Sequence, residues 1–415
     1  MKSHSIVVVG AGPAGMMASI HASELGASVL LIEKNASCGN KLLLSGKGRC
    51  NLTNTCDLPE FLARFSDGGQ FLRDAFKKFF HPELMAFFTS RGLALQVERQ
   101  NRVFPKTHRS SGILSVLLAE IAKNKVTVLS NCSLTNILIA DNHVTAVVLS
   151  NGQTVPAARV ILATGGVSYG ATGSTGEGIS LARATGHRIT DLRAGLVPLV
   201  TQETFPGHLR GLVLKNIRIT FSDGVRKLVT DIGELLFTDF GISGPLILSH
   251  SGRIVDWLKE GKGVTADIDL KPALSQEQLE NRIARDIQAN AKKGLRNLLK
   301  GLLPLSLIDT MIARSRLDPG KKANQLTQKT RLELVRSLKA LRLHIVSARP
   351  IQQAMVTRGG VSLKDINPRT MESRTVRGLY FAGEMIDVDA DTGGFNLQAA
   401  FSTGHLAGES AAMSL

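Results

Sequence analysis

The sequence has 415 residues, more than one hydrophobic core usually supports, so we expect two or three domains. No apolar run approaches the roughly 20 residues that a membrane-spanning helix needs. The start of the chain lacks the apolar core of a secretory signal, and its four cysteines lack disulfide or metal spacing, so we expect a cytoplasmic protein without a metal ion.

The chain opens with the strand–turn–helix–strand pattern of a βαβ unit. Residues 5–9 form a continuous apolar run, which is typical of a strand buried on both faces of a parallel sheet. Residues 13–25 favour a helix that Gly26 ends. Residues 28–32 predict a second strand, which closes on Glu33.

The first turn carries the spacing Gly10-x-Gly12-x-x-Gly15. In a dinucleotide-binding turn the first glycine permits the tight bend, the second lets a pyrophosphate approach, and the third lets helix pack on strand. The free N–H groups at the helix start attract phosphate. Glu33, at the end of the second strand, is placed to accept hydrogen bonds from ribose hydroxyls. These features predict a dinucleotide site without choosing between NAD and FAD.

The middle of the first half combines a loop, helices and short strands. Residues 38–55 are rich in Gly, Ser and Asn and predict an ordered loop, and residues 58–125 predict helices interrupted by a strand or a hairpin near 94–104. Alternation over residues 126–155 predicts a β-meander. Residues 160–162 predict another buried strand, which runs into the glycine turn at 163–166.

From about residue 193 the pattern changes to short strand-like runs, which predict a second, β-rich domain. Residues 275–303 then carry apolar side chains at helical spacing, beginning with a capping box formed by Ser275 and Gln278. Two further helical stretches follow at about 305–316 and 328–341.

The positive charge of the chain is concentrated in this helical region. The whole chain has 50 Lys and Arg against 34 Asp and Glu, a net charge of +16. Between Lys271 and Arg349 there are 17 Lys and Arg against 6 Asp and Glu, so 11 of the 16 charges lie there. Such a field suits a polyanionic partner. The alternative is an ordinary solvated helical surface.

The far end of the chain favours FAD over NAD. Residues 378–384 form a strand entering a glycine turn, which in flavoproteins of the glutathione-reductase type brings an acid, here Glu384, to the ribityl side of the flavin. Asn396 and its neighbours begin a helix whose positive end can face the flavin's pyrimidine edge. A site assembled from both termini and a mid-chain strand is characteristic of FAD. A second GxGxxG suited to NAD(P)H is absent, so the electron donor stays open.

Four segments resemble the BaiN/RdsA-type flavoprotein family, also called the aminoacetone-oxidase family. They read KLLLSGKGRCNLTN (Lys41–Asn54), LLFTDFGISGP (Leu235–Pro245), RGGVSLKDINPRTMESR (Arg358–Arg374) and AGEMIDVDADTGGFNLQAAFSTG (Ala382–Gly404). The resemblance implies an α/β, two-dinucleotide-binding (glutathione-reductase-like) Rossmann FAD domain with an inserted β-barrel domain and a small helical subdomain. The expected boundaries are 1–192 for the first part of the FAD domain, 193–272 for the barrel, 273–342 for the basic helical subdomain, 343–357 for the return of the barrel and 358–415 for the rest of the FAD domain.

Residues from these motifs are expected to bind FAD. They are Gly10, Gly12, Pro13, Ala14, Gly15, Glu33, Lys34, Lys41, Ser45, Gly46, Arg49, Asn51, Leu134, Ala163, Thr164, Gly165, Gly383, Glu384, Gly394, Phe395, Asn396 and Leu397. The family pattern has a glycine where this chain has Lys47, so a loop that needs positive φ at that position would be strained. If the position does not need positive φ, Lys47 adds a cation near the substrate or the FAD phosphates.

Three activities are associated with the family: reduction of a uridine in 23S rRNA to dihydrouridine, reduction of conjugated steroid enones, and oxidation of a small amino ketone by O₂. In the first two a C=C conjugated to a carbonyl accepts hydride at its β carbon, while an acid protonates the α carbon. Cys50 is a candidate for that acid, since an ordinary thiol is protonated at pH 7. The alternative is a small packing residue beneath the FAD.

The charge favours an rRNA substrate over a small-molecule oxidase or reductase. An RNA-binding protein that keeps FAD as a structural relic is a third alternative. An aromatic content of 5% argues against a stacking platform for single strands and is compatible with recognition of folded RNA through its backbone. NAD(P)H or another reductant is a possible further partner. The expected RNA-contacting residues are Lys292, Lys293, Arg296, Lys300, Lys321 and Lys322.

Overall fold

The computed structural model describes residues 4–315 and 317–415. The chain divides into two compact units, the first comprising Met1–Gly195 and Ile351–Leu415, the second Leu196–Pro350. The second unit is therefore an insertion into the first. The expected boundaries of the FAD domain, the barrel and the helical subdomain stay a prediction.

Both units contain strands and helices. The strands of the described chain are β1 (Ile6–Val9), β2 (Val29–Ile32), β3 (Thr53–Asn54), β4 (Leu95–Val97), β5 (Arg102–Pro105), β6 (Thr127–Leu129), β7 (Leu134–Ala140), β8 (His143–Leu149), β9 (Thr154–Pro156), β10 (Arg159–Leu162), β11 (Ile189–Gly195), β12 (Leu199–Thr201), β13 (Val213–Ser222), β14 (Lys227–Val229), β15 (Gly233–Phe237), β16 (Gly241–Ser243), β17 (Val264–Asp269), β18 (Leu341–Ala348), β19 (Val356–Val361) and β20 (Leu379–Phe381). Its α-helices are α1 (Pro13–Glu24), α2 (Asn40–Leu44), α3 (Leu58–Ala63), α4 (Arg73–Lys78), α5 (His81–Thr89), α6 (Ser110–Lys123), α7 (Glu177–Ala184), α8 (Phe205–His208), α9 (Pro245–Lys259), α10 (Gln276–Ala289), α11 (Leu295–Leu299), α12 (Leu305–Arg314), α13 (Gln328–Lys339) and α14 (Phe395–Met413).

A five-stranded parallel sheet forms the centre of the first unit, in the order β20-β10-β1-β2-β6. Every residue of β1 and β2 is buried, as a continuous apolar run in a doubly covered parallel sheet requires. The predicted α/β class is confirmed. The prediction that residues 126–155 form one meander is wrong at its start. The segment Thr127–Leu129 joins the parallel sheet beside β2, and only β7, β8 and β9 form the meander.

Helices α1 and α14 pack against each other through glycines. A Cβ added at Gly404 would lie 2.2 Å from the carbonyl oxygen of Ala14, and one at Gly408 would lie 2.5 Å from that of Ala18. Because the two glycines are four residues apart, they lie on one face of α14. The C-terminal helix is thereby held directly against the helix that follows the first glycine turn.

The second unit contains a seven-stranded antiparallel sheet in the order β14-β13-β15-β16-β12-β18-β17. An additional pairing of β13 with β17 closes six of these strands into a barrel. One apolar cluster runs from the barrel interior, for example Phe221 and Phe237, to helical residues such as Leu279 and Leu334. The barrel and the basic helices thus share a core.

The basic helices differ from the prediction in two respects. Residues 275–303 form two helices, α10 and α11, because the segment between them leaves the helix and pairs with residues 321–324. The predicted capping box is confirmed: the Ser275 hydroxyl accepts from the Gln278 N–H, and the Gln278 side chain accepts from the Ser275 N–H. The predicted helix at 328–341 ends earlier, at Lys339, and Leu341 begins strand β18.

Candidate functional site

The carboxyl ends of four parallel strands meet at one edge of the central sheet. The chain builds β2 and β6 on one side of β1 and then β10 and β20 on the other, so the strand order reverses beside β1. Ligands of open α/β sheets bind at such a point. The strands end at Val9, Ile32, Leu162 and Phe381, which brings three glycine turns and one acid to this edge.

The three glycines of the first turn have different surroundings. Gly10 has a φ of +98°, which favours glycine. A Cβ on Gly15 would lie 1.8 Å from the carbonyl oxygen of Gly10, so only glycine permits this approach of helix to strand. A Cβ on Gly12 would meet no protein atom within 4 Å. The backbone at Gly12 is therefore open to a ligand, and this residue precedes the first turn of α1 with no side chain to cap it.

Glu33 is 7% exposed and its carboxylate is held from both sides. Its Oε2 atom accepts a hydrogen bond from the Ala11 N–H at 2.9 Å. Its Oε1 atom accepts from the N–H and the side-chain amide of Asn35 at 2.9 and 2.8 Å. A carboxylate offers about four acceptor positions, so one further donor fits. Asn35 is not among the expected site residues, although its position two residues after the acid is a signal in the sequence.

Two segments lie near Glu33 and Lys34: the start of the β-meander and the loop before α7. The N–H of Cys132 donates to the carbonyl of Glu33 at 3.1 Å, which places the buried Leu134 at the start of β7 near this acid. Lys34 is oriented toward the loop before α7: its Nζ lies 2.7 Å from the Thr175 hydroxyl and 2.9 Å from Glu177. Lys34 is thus engaged within the protein.

Glu384 and Lys41 form an ion pair between residues 343 positions apart. The Nζ atom of Lys41 lies 2.5 Å from Glu384 Oε2 and donates to the Ser168 hydroxyl at 2.7 Å. Glu384 Oε1 accepts from the Ser168 hydroxyl at 2.9 Å and from the Thr357 N–H at 2.8 Å. Burial raises the pKa of Glu384, but the Lys41 charge and these hydrogen bonds outweigh it, so the pKa lies below its usual value. The acid is therefore ionised at neutral pH.

Gly383 lies against the first turn. Its φ is +74°, and a Cβ there would come within 2.9 Å of the Ala14 side chain. Its N–H donates to the Thr403 hydroxyl of α14 at 2.9 Å. On the third turn, Gly165 has a φ of +75°, and the Ala163 N–H donates to the carbonyl of Val9 at 2.9 Å. The N-terminal, C-terminal and mid-chain glycine turns are thus brought together.

The loop at residues 45–51 contains several residues with positive φ. Gly46, Lys47, Gly48 and Cys50 have φ values of 56°, 59°, 81° and 58°. Lys47 therefore occupies the left-handed region that a glycine would occupy more easily, and its side chain is exposed. The Cys50 N–H donates to the carbonyl of Ser45 at 3.0 Å, which closes the loop.

Cys50 has no exposed surface. Burial raises the pKa of its thiol to about 12, against a smaller opposing effect of the Ser45 side chain. The Cys50 side chain is enclosed by protein atoms on all sides. This burial favours the packing alternative for Cys50. Its role as a proton donor stays a prediction.

Arg49 and Asn51, on either side of Cys50 in the chain, differ in whether their side chains have partners within the protein. The Arg49 guanidinium lies 4.2 Å from the centroid of the Phe104 ring, and its Nη1 is 3.4 Å from Glu98. The Oδ1 atom of Asn51 is buried and has no hydrogen-bond partner within the described residues. Such an orphaned acceptor calls for a donor from outside the protein.

The N-terminus of α14 is held against the glycine loop. Gly394 precedes this helix with a φ of +99°, and a Cβ there would lie 2.5 Å from the carbonyl oxygen of Thr53. The Thr53 hydroxyl donates to Gln398 at 2.6 Å. The Asn396 side chain bonds both the N–H and the carbonyl of Ala390, at 3.0 and 2.9 Å. Because glycine has no side chain to cap the helix, the positive end of α14 remains available to a negative group.

A dinucleotide fits these residues. Gly12 provides an open cradle beside a helix start, Glu33 retains an acceptor position, and the Asn51 oxygen lacks a donor. The structure brings the predicted residues of both termini and of 163–165 to one sheet edge. It directs Lys34, Lys41, Arg49 and Glu384 into ion pairs with protein groups. The sequence analysis missed Ser168, Thr357 and Thr403, for which no local pattern gave a signal.

Within residues 4–315 and 317–415, His, Cys, Asp and Glu form no group able to hold a metal ion. Of the helices in the same residues, none combines the length and apolar character needed to cross a bilayer.

A second feature lies in the inserted unit, where two lysine pairs distant in sequence become neighbours. The Leu295 N–H donates to the carbonyl of Lys321 at 3.0 Å, and the Ala323 N–H donates to that of Lys293 at 2.9 Å. The segments carrying Lys292, Lys293, Lys321 and Lys322 are therefore adjacent. We call these four side chains the lysine surface; all are exposed and none has an acidic partner among the described residues. Arg296 is exposed too but pairs with Asp309 at 2.9 Å, and Lys300 is exposed.

Comparison with known proteins gives three matches of interest. The sequence profile described as "HI0933-like protein Rossmann domain" matches residues 4–410. A 3-dehydro-bile acid delta(4,6)-reductase of Clostridium scindens is 31% identical, over 98% of both chains. A ribosomal RNA dihydrouridine synthase of Escherichia coli is 29% identical, over 97% of this chain and 96% of that one.

Among solved structures, a 3-ketosteroid delta1-dehydrogenase from Sterolibacterium denitrificans aligns with a TM-score of 0.56 and 15% identity, over 100% of both chains. At this identity the likeness concerns the fold, which is a Rossmann domain of the FAD-binding type with an inserted β-sheet domain.

Proposed function

The chain belongs to the HI0933-like Rossmann-domain family and is a FAD-dependent oxidoreductase, and from that premise we propose that it reduces a uridine of 23S rRNA to dihydrouridine. The observation that carries this choice is the lysine surface. Four unpaired cations on two adjacent segments bind a polyphosphate backbone by releasing its counterions. A small conjugated ketone needs no cationic surface of this size, and a cationic amine is repelled by it.

The cofactor and the chain divide the chemistry between them. FAD, when bound, supplies the hydride that adds to C6 of the uracil ring, the β carbon of its conjugated carbonyl. The open backbone at Gly12 and the start of α1 would hold the pyrophosphate, and Glu33 would accept from the ribose. The uncapped start of α14 would stabilise negative charge in the reduced ring.

The ion pair of Lys41 and Glu384 would position the loop that follows α2. Because Glu384 receives hydrogen bonds from both Ser168 and Thr357, it ties β19 and the mid-chain turn to Lys41. These contacts support a positioning role for Lys41.

The proton for C5 of the uracil must come from an acid near the ring. Cys50 is the candidate from sequence, and a thiol whose pKa is raised to about 12 is protonated at neutral pH but is a weak acid. Since its side chain is enclosed, it reaches a substrate only if the loop at residues 45–51 moves.

A second candidate function is the reduction of a small conjugated ketone, or the oxidation of an amino ketone by O₂. The relative that favours it is the 3-dehydro-bile acid reductase, which matches this chain along its full length. The two functions share the hydride step and differ in what the inserted unit recognises.

The deciding experiment is mapping of dihydrouridine in rRNA from cells with and without this protein. Loss of one dihydrouridine on deletion, restored by the intact chain, is the expected result. An rRNA whose dihydrouridines are unchanged, together with rapid flavin reoxidation by an enone or by O₂ with an amino ketone, would establish the small-molecule function instead.

A binding experiment tests the lysine surface directly. Each lysine that contacts phosphate contributes roughly 0.7 to 0.9 to the slope of log K against log salt. The double variant Lys321→Glu/Lys322→Glu should weaken rRNA binding and flatten this slope by about 1.5. Lys259→Glu/Lys262→Glu is the matched control, since both lysines are exposed in the same unit and lie outside the basic region. Salt-insensitive binding by the unmodified protein would rule out the RNA function.

A further inference from the structure

A cleft of about 540 Å³ lies in the inserted unit. It is lined by the segment around α8 and by one face of α12. One of its lining residues, Asp309, pairs with Arg296 at 2.9 Å, and Arg296 follows Leu295, whose N–H bonds Lys321. The Arg296–Asp309 ion pair therefore links the cleft to the segment that begins α11, next to the lysine surface in sequence.

Inside the cleft an arginine is held over an aromatic ring. The guanidinium carbon of Arg314 lies 4.9 Å from the centroid of Phe205. Arg314 also donates from Nη2 to the carbonyl of Arg342 at 3.2 Å, which restrains its orientation. Phe205 is half-buried against the core of the unit and so forms a fixed base for the pair. A planar guanidinium held in this way stacks on nucleobases.

Polar side chains without partners surround this pair. Gln202, Thr204 and Thr310 line the cleft, and in the described part of the chain their side chains make no hydrogen bond. An amide offers two donors and one acceptor oxygen, which matches the edge of a nucleobase. The Glu203 carboxylate, in contrast, accepts a hydrogen bond from the backbone N–H of His344 and is hydrogen-bonded to the ring of the same residue.

We propose that this cleft binds one unpaired nucleobase of the RNA, stacked on Arg314 and Phe205, while the lysine surface contacts the adjoining phosphates. The inference rests on the proposed RNA function and extends it to a second recognition site, separate from the FAD edge in the other unit. The low aromatic content excludes an extended stacking platform, but a single Arg–Phe pair is enough for one base.

The test uses the full-length FAD-loaded protein and an rRNA fragment with 2-aminopurine at successive unpaired positions. Arg314→Lys keeps the charge but removes the planar group, so it should weaken binding about tenfold with an unchanged salt slope, and should abolish the 2-aminopurine quenching seen at one position. Arg314→Gln should show the same loss of affinity and of 2-aminopurine quenching as Arg314→Lys. Arg336→Gln is the control, since it removes one exposed charge from α13 without touching the cleft.

The outcomes separate this inference from the function on which it rests. Wild-type affinity and quenching in Arg314→Lys, with binding still lost in the lysine-surface variant, would overturn the base site and leave the RNA function standing. A protein that binds the fragment weakly and without salt dependence would overturn both. Phe205→Leu serves as a second variant, with its melting temperature measured so that a folding defect is recognised.

Discussion

Replacing Gly12 with alanine should impair FAD binding without harming the fold. The backbone at Gly12 has a φ of −81° and a ψ of −177°, which an L-residue adopts without strain. An added Cβ meets no protein atom within 4 Å. The apoprotein should therefore unfold within about 0.5 kcal/mol of the wild type, and loss of glycine entropy in the unfolded chain favours a slight gain.

The cost appears only when the cofactor binds. The added methyl group occupies space that a pyrophosphate needs in order to reach the N–H groups at the start of α1. Loss of one or two charge-assisted hydrogen bonds costs about 1.5–3 kcal/mol. At 1.4 kcal/mol per decade this is roughly a 10- to 150-fold rise in the Kd for FAD.

Titration of apoprotein with FAD, followed by flavin fluorescence, measures the Kd, and urea unfolding of the same apoproteins measures stability. Gly263→Ala is the matched control, since its Cβ also meets open space and its φ is not positive. Gly15→Ala should behave differently from Gly12→Ala. Its Cβ would lie 1.8 Å from the Gly10 carbonyl oxygen, so this substitution should unfold the apoprotein. A Gly12→Ala protein that binds FAD like the wild type would refute the placement of the pyrophosphate at this turn.

Three further predictions follow from single residues. Lys47→Gly should raise the free energy of unfolding by about 1 kcal/mol, because Lys47 has a φ of 59°, and Lys47→Ala should give no such gain in urea unfolding. Burial, with the nearby charges of His21 and Lys78, lowers the pKa of His405 from its usual 6.5 to about 3, so the folded protein keeps this ring neutral while the unfolded chain protonates it. The stability that depends on the neutral His405 ring is complete above pH 6.5 and is lost as the pH falls toward 3, by about 1.4 kcal/mol per pH unit. In His405→Phe the new ring can still stack on Phe79. The free energy of unfolding of this variant, measured between pH 7.5 and 5.5, should therefore depend less on pH than that of the wild type. Cys50→Ala should leave the single-turnover oxidation of reduced flavin by substrate within about twofold of wild type, since the thiol is enclosed, whereas a loss of 100-fold or more would identify Cys50 as the proton donor.

The sequence by itself determined the local features of this protein. The spacing of Gly10, Gly12 and Gly15, the following helix and the acid Glu33 lie within one βαβ unit, and the structure places them as the pattern predicts. The capping box at Ser275 was likewise predicted from the sequence. Such features are encoded over a few residues by turn geometry and by the helical and strand periods, so a single sequence suffices to predict them.

Only the tertiary structure decided which distant groups meet. The ion pair of Lys41 with Glu384 joins positions 343 residues apart, and the lysine surface joins segments that the sequence separates by two helices. The segment Thr127–Leu129 reads as part of a meander, yet it pairs with β2 in the parallel sheet. A short apolar run does not specify which strand it pairs with, because pairing depends on how the whole sheet buries its faces. The positive φ at Lys47 and the enclosure of Cys50 likewise depend on the closed loop and on the packing around it.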